Sequence, residues 1–272
     1  MTAAEPATGV LAGRRVLVTG VLTPKSIAFG IAEAAQRQGA EVLLTSFGRA
    51  MSLTRRSAQR LDPAPEVLEL DVTDTAGIAA VAEHVRTTWG SLDGLVHAVG
   101  FAPEDCLGGG FVDAPWESVS TAFHVSAYSL QALARQFVPL MSENRGSIVT
   151  LTFDASVAWP LYDWMGPAKA ALEAITRYLA RDLGRNRIRV NALAAGPLET
   201  IAAKSIPGFN VLKESWQRQA PLGWDSADTA PVADACLFLL SDLARAITGE
   251  VLHVDGGFHS QGAPLVELEA AR

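Results

Sequence analysis

Short, continuously apolar runs alternate with helical patterns along the whole chain, and that alternation restricts the fold more than any other feature. The runs are RVLVT (15–19), EVLLTS (41–46), EVLELD (66–71), LDGLVH (92–97), GSIVTLT (146–152), IRVNALA (188–194) and EVLHVD (250–255). Most lack the in-out alternation of a half-exposed strand, so they predict strands covered on both faces by helices. Right-handed crossovers then give an α/β fold, a Rossmann-like doubly wound parallel sheet of about seven strands. No repeat, linker or composition break divides the 272 residues, which suit one domain spanning 11–262 with tails at 1–10 and 263–272. In such a sheet ligands collect at the carboxyl ends of the strands, so residues that carry function are expected just after them.

Composition removes several classes. A net charge of -7 with scattered arginines opposes a nucleic-acid partner, because a phosphate backbone needs clustered cations. Cys106 and Cys236 stand far apart without CxxC spacing, and the five histidines show no ligand spacing, so no disulfide framework and no metal are expected. His97 and His253 fall in predicted strands and read as packing. The opening stretch, with Glu5 and Pro6, is a poor signal peptide, and no apolar run reaches membrane-spanning length. A cytoplasmic protein without a membrane partner is expected.

After the first strand, Gly20 leaves the sheet and Ser26 stands where a helix running to Gln38 needs its N-cap. Unpaired N–H groups at such a helix end suit a pyrophosphate, although the loop is not GxGxxG and alone would be an ordinary strand-to-helix connection. Asp71 follows the third strand, where it can accept from an adenine amino group or simply brace its loop; Asp74 reads as a helix cap. Gly100 follows the fourth strand, where a missing side chain admits a flat ligand. The second strand ends in TSFGR without the acidic residue that usually binds a ribose 2′-hydroxyl. Phe47 can cover an adenine there and Arg49 can meet a 2′-phosphate, which leaves NADH and NADPH open at this point.

The fifth strand leads into PLYDWMGPAK, in which Tyr162 and Lys169 are seven positions apart. On a helix that spacing would put both on one face with ~10 Å of rise, against ~6 Å for a separation of four. Pro167 is comfortable only in a first helical turn, so Tyr162 is expected on a pre-helical turn with Lys169 on the helix proper. A close lysine that acidifies a tyrosine suits ketone reduction; a distant one suits a tyrosine that only hydrogen-bonds a developing enolate. In isolation the pair would read as a core tyrosine and a solvated lysine. Its place beside the predicted crevice favours function.

With TGVLTPKSIAFGIA, HAVGFAP, TFDASVAWPLYDWMGPAKAALEA, AAGPLET and GEVLHVDGG together, the sequence from Leu11 to Gln261 resembles the enoyl-acyl-carrier-protein reductases of type II fatty acid synthesis. These form a divergent branch of the short-chain dehydrogenases, and the likeness is strongest to actinobacterial and mycobacterial members. The resemblance implies that Tyr162 binds the thioester carbonyl and Lys169 the nicotinamide ribose, with Phe153 where ketone reductases carry a serine. It also implies cofactor contacts from Gly20, Ser26, Ile27, Phe47, Asp71, Val72, Gly100, Gly196, Pro197 and Thr200. A phenylalanine after the second strand goes with NADH rather than NADPH.

The family often has serine where this chain has Ala98, which removes one hydroxyl near the cofactor. A lid over about 198–224 would cover the acyl chain, with Ile201, Ile206 and Phe209 joining Phe101 and Met165 along an apolar sleeve. That lid is shorter than in long-chain mycobacterial enzymes, so short to medium acyl groups are expected. The partners implied are an enoyl thioester on acyl carrier protein and further copies of the chain in a homotetramer. Two alternatives remain in the sequence: a ketone reductase, opposed by Phe153 and the Tyr–Lys spacing, and a dinucleotide sensor without turnover, opposed by retention of both residues.

Overall fold

The computed structural model describes residues 9–262, so most of the first predicted tail and all of the second lie outside the described residues. All seven predicted strands form: β1 (Arg15–Val18), β2 (Glu41–Ser46), β3 (Val67–Glu69), β4 (Gly94–His97), β5 (Ser147–Thr152), β6 (Arg189–Ala195) and β7 (Val251–Val254). They pair in parallel in the order β3-β2-β1-β4-β5-β6-β7. The helices are α1 (Ile27–Arg37), α2 (Met51–Ala58), α3 (Thr75–Trp89), α4 (Trp116–Phe123), α5 (Ser129–Met141), α6 (Met165–Leu183), α7 (Ile201–Lys204), α8 (Phe209–Gln219) and α9 (Ala230–Leu240).

Strand pleating sorts the apolar runs between two cores. Val16, Val18, Leu44, Val96 and Val149 face α1 and α9. Leu17, Leu43, Leu95, Ile148 and Val190 face α3, α5 and α6. Continuous burial is therefore found in the central strands, as the sequence pattern implied, while the edge strands β3 and β7 are only partly buried. Neither cysteine is bonded and both are buried. His97 is locked in the second core, its ring nitrogens paired with Thr150 Oγ1 at 2.7 Å and Ser129 Oγ at 2.8 Å. Burial pushes its pKa down to about 3, so the imidazole is neutral and serves packing. Among the described residues no helix is long and apolar enough to cross a membrane, and no cluster of three metal-ligating side chains occurs.

The winding reverses between β1 and β4. There the loop leaving β1 is fastened to the loop leaving β4: Thr19 Oγ1 donates to Val96 O and accepts from Ala98 N, both at 3.0 Å. Gly20 lies so close that an added Cβ would stand 2.0 Å from Ala98 O.

Candidate active site

Around this reversal the predicted cofactor residues gather on one end of the sheet. Ser26 occupies the N-cap of α1, but its side chain does not cap the helix. Its Oγ instead accepts from Leu22 N at 3.1 Å and Thr23 N at 3.0 Å, which corrects the sequence expectation. The serine folds the loop back on itself, and among the described residues the N–H groups of Ile27 and Ala28, the first two of α1, have no protein partner, the third, Phe29 N, donating to Ser26 O at 3.0 Å. The two free donors, at the positive end of a helix, fit a phosphate.

Asp71 braces its own loop, with Oδ1 accepting from Thr73 N at 2.8 Å and Thr73 Oγ1 at 2.7 Å. Asp74 caps α3 through Ala76 N as expected. Val72 is buried and Ile27 packs partly buried under the loop. Phe47 is 55% exposed at the end of β2. Arg49 beside it is exposed and has no ion-pair partner among the described residues.

Tyr162 sits on a pre-helical turn, as Pro167 implied, so helical phase does not relate it to Lys169. Its neighbours Leu161 and Asp163 have φ of 60° and 37°, left-handed values that cost strain in residues other than glycine. The turn is held by the segment before α4: Leu161 O accepts from Gly108 N at 3.0 Å, and Asp163 Oδ2 from Gly109 N at 2.5 Å. Tyr162 is only 6% exposed, with its ring edge-on to Phe153 at 5.3 Å. Its hydroxyl has no protein partner among the described residues. Burial alone pushes the phenol above its ordinary pKa, so it stays protonated as a donor.

Lys169 is buried on the first turns of α6 and donates to Leu151 O at 2.9 Å. Burial lowers its pKa to about 8, against which Glu173, one turn further along α6, acts to keep it charged. Glu173 is itself held by Thr152 Oγ1 at 3.1 Å and Ala155 N at 3.3 Å. With one N–H engaged, the ammonium keeps two donors for a pair of ribose hydroxyls. The Gly100 backbone is next to it: a Cβ there would meet Lys169 Nζ at 3.7 Å and Ser126 Oγ at 3.9 Å. Ser126 both accepts from Phe101 N at 2.9 Å and donates to Phe101 O at 2.8 Å, pinning the loop after β4. A glycine-lined approach, a buried cation with spare donors and a free helix end together fit a dinucleotide.

The family profile described as Enoyl-(Acyl carrier protein) reductase matches residues 20–259. The enoyl-acyl-carrier-protein reductase [NADH] of Mycolicibacterium smegmatis is 42% identical over 268 residues, covering 93% of this chain and 99% of that protein. Relatives with the same name from Aquifex aeolicus and Neisseria meningitidis are each 41% identical, covering 93% and 92% of this chain and 94% and 96% of their own. The chain belongs to the enoyl-acyl-carrier-protein reductase family.

In this reductase the space beside Tyr162 is walled by Phe153, as expected, and by three rings that sequence reasoning did not assign, Trp159, Trp216 and Phe258. Phe153 contacts Trp159 at 5.1 Å and Trp216 at 5.6 Å, and Trp216 stacks on Phe258 at 3.7 Å. Met165 and Ile206 join the cluster around Tyr162, whereas Phe209 is buried, and Phe101 and Ile201 are 53% and 51% exposed. Gly196 has a further reason to be glycine: a Cβ would lie 2.7 Å from Trp224 and 2.8 Å from Trp216 Nε1. Pro197 O accepts from Trp224 Nε1 at 2.9 Å, and Thr200 Oγ1 caps α7 through Ala203 N at 3.0 Å.

The segment predicted as a lid contains α7 and α8. Glu199 ties both to the body of the reductase, pairing with Lys213 on α8 and Lys204 on α7 while its N–H donates to Ser226 O. Ser126 was also missed, because it is presented by a π-helical stretch, His124–Tyr128, between α4 and α5. Such a bulge often marks a functional site, but one extra residue in a helical turn leaves no signature in apolar spacing.

Proposed function

We propose that the chain reduces the trans-2 double bond of enoyl thioesters carried on acyl carrier protein, with NADH as reductant. The observation that carries this reading is a buried phenol, kept protonated and free of protein partners, beside a phenylalanine rather than a second hydroxyl. NADH supplies a hydride to the β-carbon when bound. Tyr162 donates to the thioester oxygen as negative charge collects there, and a solvent proton completes the α-carbon. Phe153 and Met165 exclude water around the reacting atoms. Lys169 grips the ribose hydroxyls, while Gly20, Ser26, Ile27, Asp71, Val72, Gly100, Gly196, Pro197 and Thr200 line the dinucleotide and Phe47 covers the adenine.

Burial shifts the tyrosine without a compensating push from the lysine, which supports separate duties for the two residues. Crotonyl thioester is expected to oxidise NADH and acetoacetyl thioester to leave it unchanged; oxidation with only the second would make the chain a ketone reductase. Tyr162→Phe should lower kcat on the order of 10²-fold, the usual cost of one oxyanion donor. NADH affinity, read by fluorescence titration, should stay within twofold.

The assembly proposed is a cytoplasmic homotetramer. An apolar cavity of about 410 Å³ opens between α4 and α6, lined by Phe123, His124, Ala127, Tyr128, Ala171 and Ile175. Tyr128 and Tyr178 lie 53% and 62% exposed on the same helical layer. Faces of this kind are more often buried between subunits than left in water. Light scattering on the purified protein should give four chains per particle, and cell fractionation should place the protein in the soluble cytoplasm; a monomer or a membrane-bound pool would refute these assignments.

A further inference from the structure

The aromatic wall divides the region between Tyr162 and the lid. Tyr162, Met165 and Ala168 form one apolar cluster, and Leu212 and Trp216 of α8 with Ala220 just after it form another. Phe153 and Trp159 pack against both. Phe153 is spoken for by its contact with Tyr162, so Trp159 is the larger residue filling the joint. It reaches Trp216 at 5.1 Å and Phe258 at 5.9 Å.

Its indole is not free to swing aside, because Nε1 donates to Asp154 O at 2.5 Å across the loop that leaves β5. Phe153 and Trp159 are both partly buried, each packed against the two clusters.

We propose that Trp159 sets the acyl-chain length of this reductase: wedged between the Tyr162 cluster and α8, it blocks the path toward the lid and confines the substrate to short enoyl thioesters. This rests on the enoyl-reductase reading above. An acyl chain anchored by its carbonyl at Tyr162 extends along the apolar surface nearest that hydroxyl, and the surface ends at a ring fixed at two edges. Short chains fit in front of it. Longer ones must displace a hydrogen-bonded indole and break its contacts with Trp216 and Phe258.

The test compares four-carbon and twelve-carbon enoyl thioesters on the wild type and on Trp159→Ala. Wild type should favour the four-carbon substrate in kcat/KM. The variant should gain at least about tenfold on the twelve-carbon substrate, since a few buried methylenes are worth that much or more. Its four-carbon rate should change less than about threefold. Calorimetric binding of dodecanoyl thioester, which needs no turnover, should tighten in parallel.

Trp159→Met serves as a second variant, with a smaller plug and an intermediate gain. A wild type that already reduces the twelve-carbon substrate as well as the four-carbon one overturns the proposal and leaves the enoyl-reductase reading standing. So does a chain-length profile unchanged in either variant. A wild type that reduces neither substrate overturns the reading itself.

Discussion

Gly20→Ala is expected to destabilise the protein by about 3–5 kcal/mol, a combination of overpacking and left-handed strain. Glycine at this position has φ of +81°, and the new Cβ would lie 2.0 Å from Ala98 O and 2.7 Å from Ala98 C. The obstacle is backbone, so no side chain can rotate out of the way. Moving it would pull on Thr19, whose hydroxyl joins β1 to the end of β4 through two hydrogen bonds of 3.0 Å. In a domain of this size such a loss lowers Tm by roughly 10 °C or more. A thermal melt within two degrees or so of wild type would show that the loops at the sheet's reversal point tolerate separation, contrary to the packing described.

Lys169→Met should act in opposite directions on stability and on cofactor binding. The unfolded lysine holds its proton up to about pH 10.5, the folded one only to about 8. Between those values the unfolded state binds more protons, so stability rises with pH across that window. Below pH 8 the full cost of the buried ammonium is present, about 3 kcal/mol from the size of the shift. Methionine removes that cost and forfeits the bond to Leu151 O, worth about 1 kcal/mol. The variant should therefore be more stable by about 2 kcal/mol at neutral pH, with the advantage shrinking as pH climbs beyond 8.

NADH binding by the same variant should fall at least tenfold, since both spare donors are gone. In wild type, NADH affinity should weaken as pH rises past about 8, when the ammonium loses its charge. Denaturant melts at several pH values and NADH titrations over the same range measure both halves. A Lys169→Met protein that binds NADH normally would remove the lysine from the cofactor site.

How far the chain could be read depended on whether a signal was local. The strands were legible because a sheet covered on both faces demands apolar residues along its central strands, and all seven runs became strands with boundaries moved by one or two residues. Pro167 announced the turn that carries Tyr162, since a residue without an N–H belongs in the first turn of a helix. Ser26 shows where local reasoning stops. It stands at the N-cap position, yet its hydroxyl found two loop N–H groups instead of the helix. Both arrangements satisfy the same side chain, and loop closure chose between them.

By itself the sequence determined the layering of the sheet, the end at which function collects and the family to which the chain belongs, because periodicity and contiguous motifs are properties of neighbouring residues. Only the tertiary structure decided that Gly196 makes room for two tryptophans, that Ser126 reaches the loop after β4 from a π-helical turn, and that Phe153, Trp159, Trp216 and Phe258 meet in one wall. Apart from Phe153 with Trp159, those contacts join residues far apart in the sequence. Their energies come from packing and burial, which no short window of sequence contains.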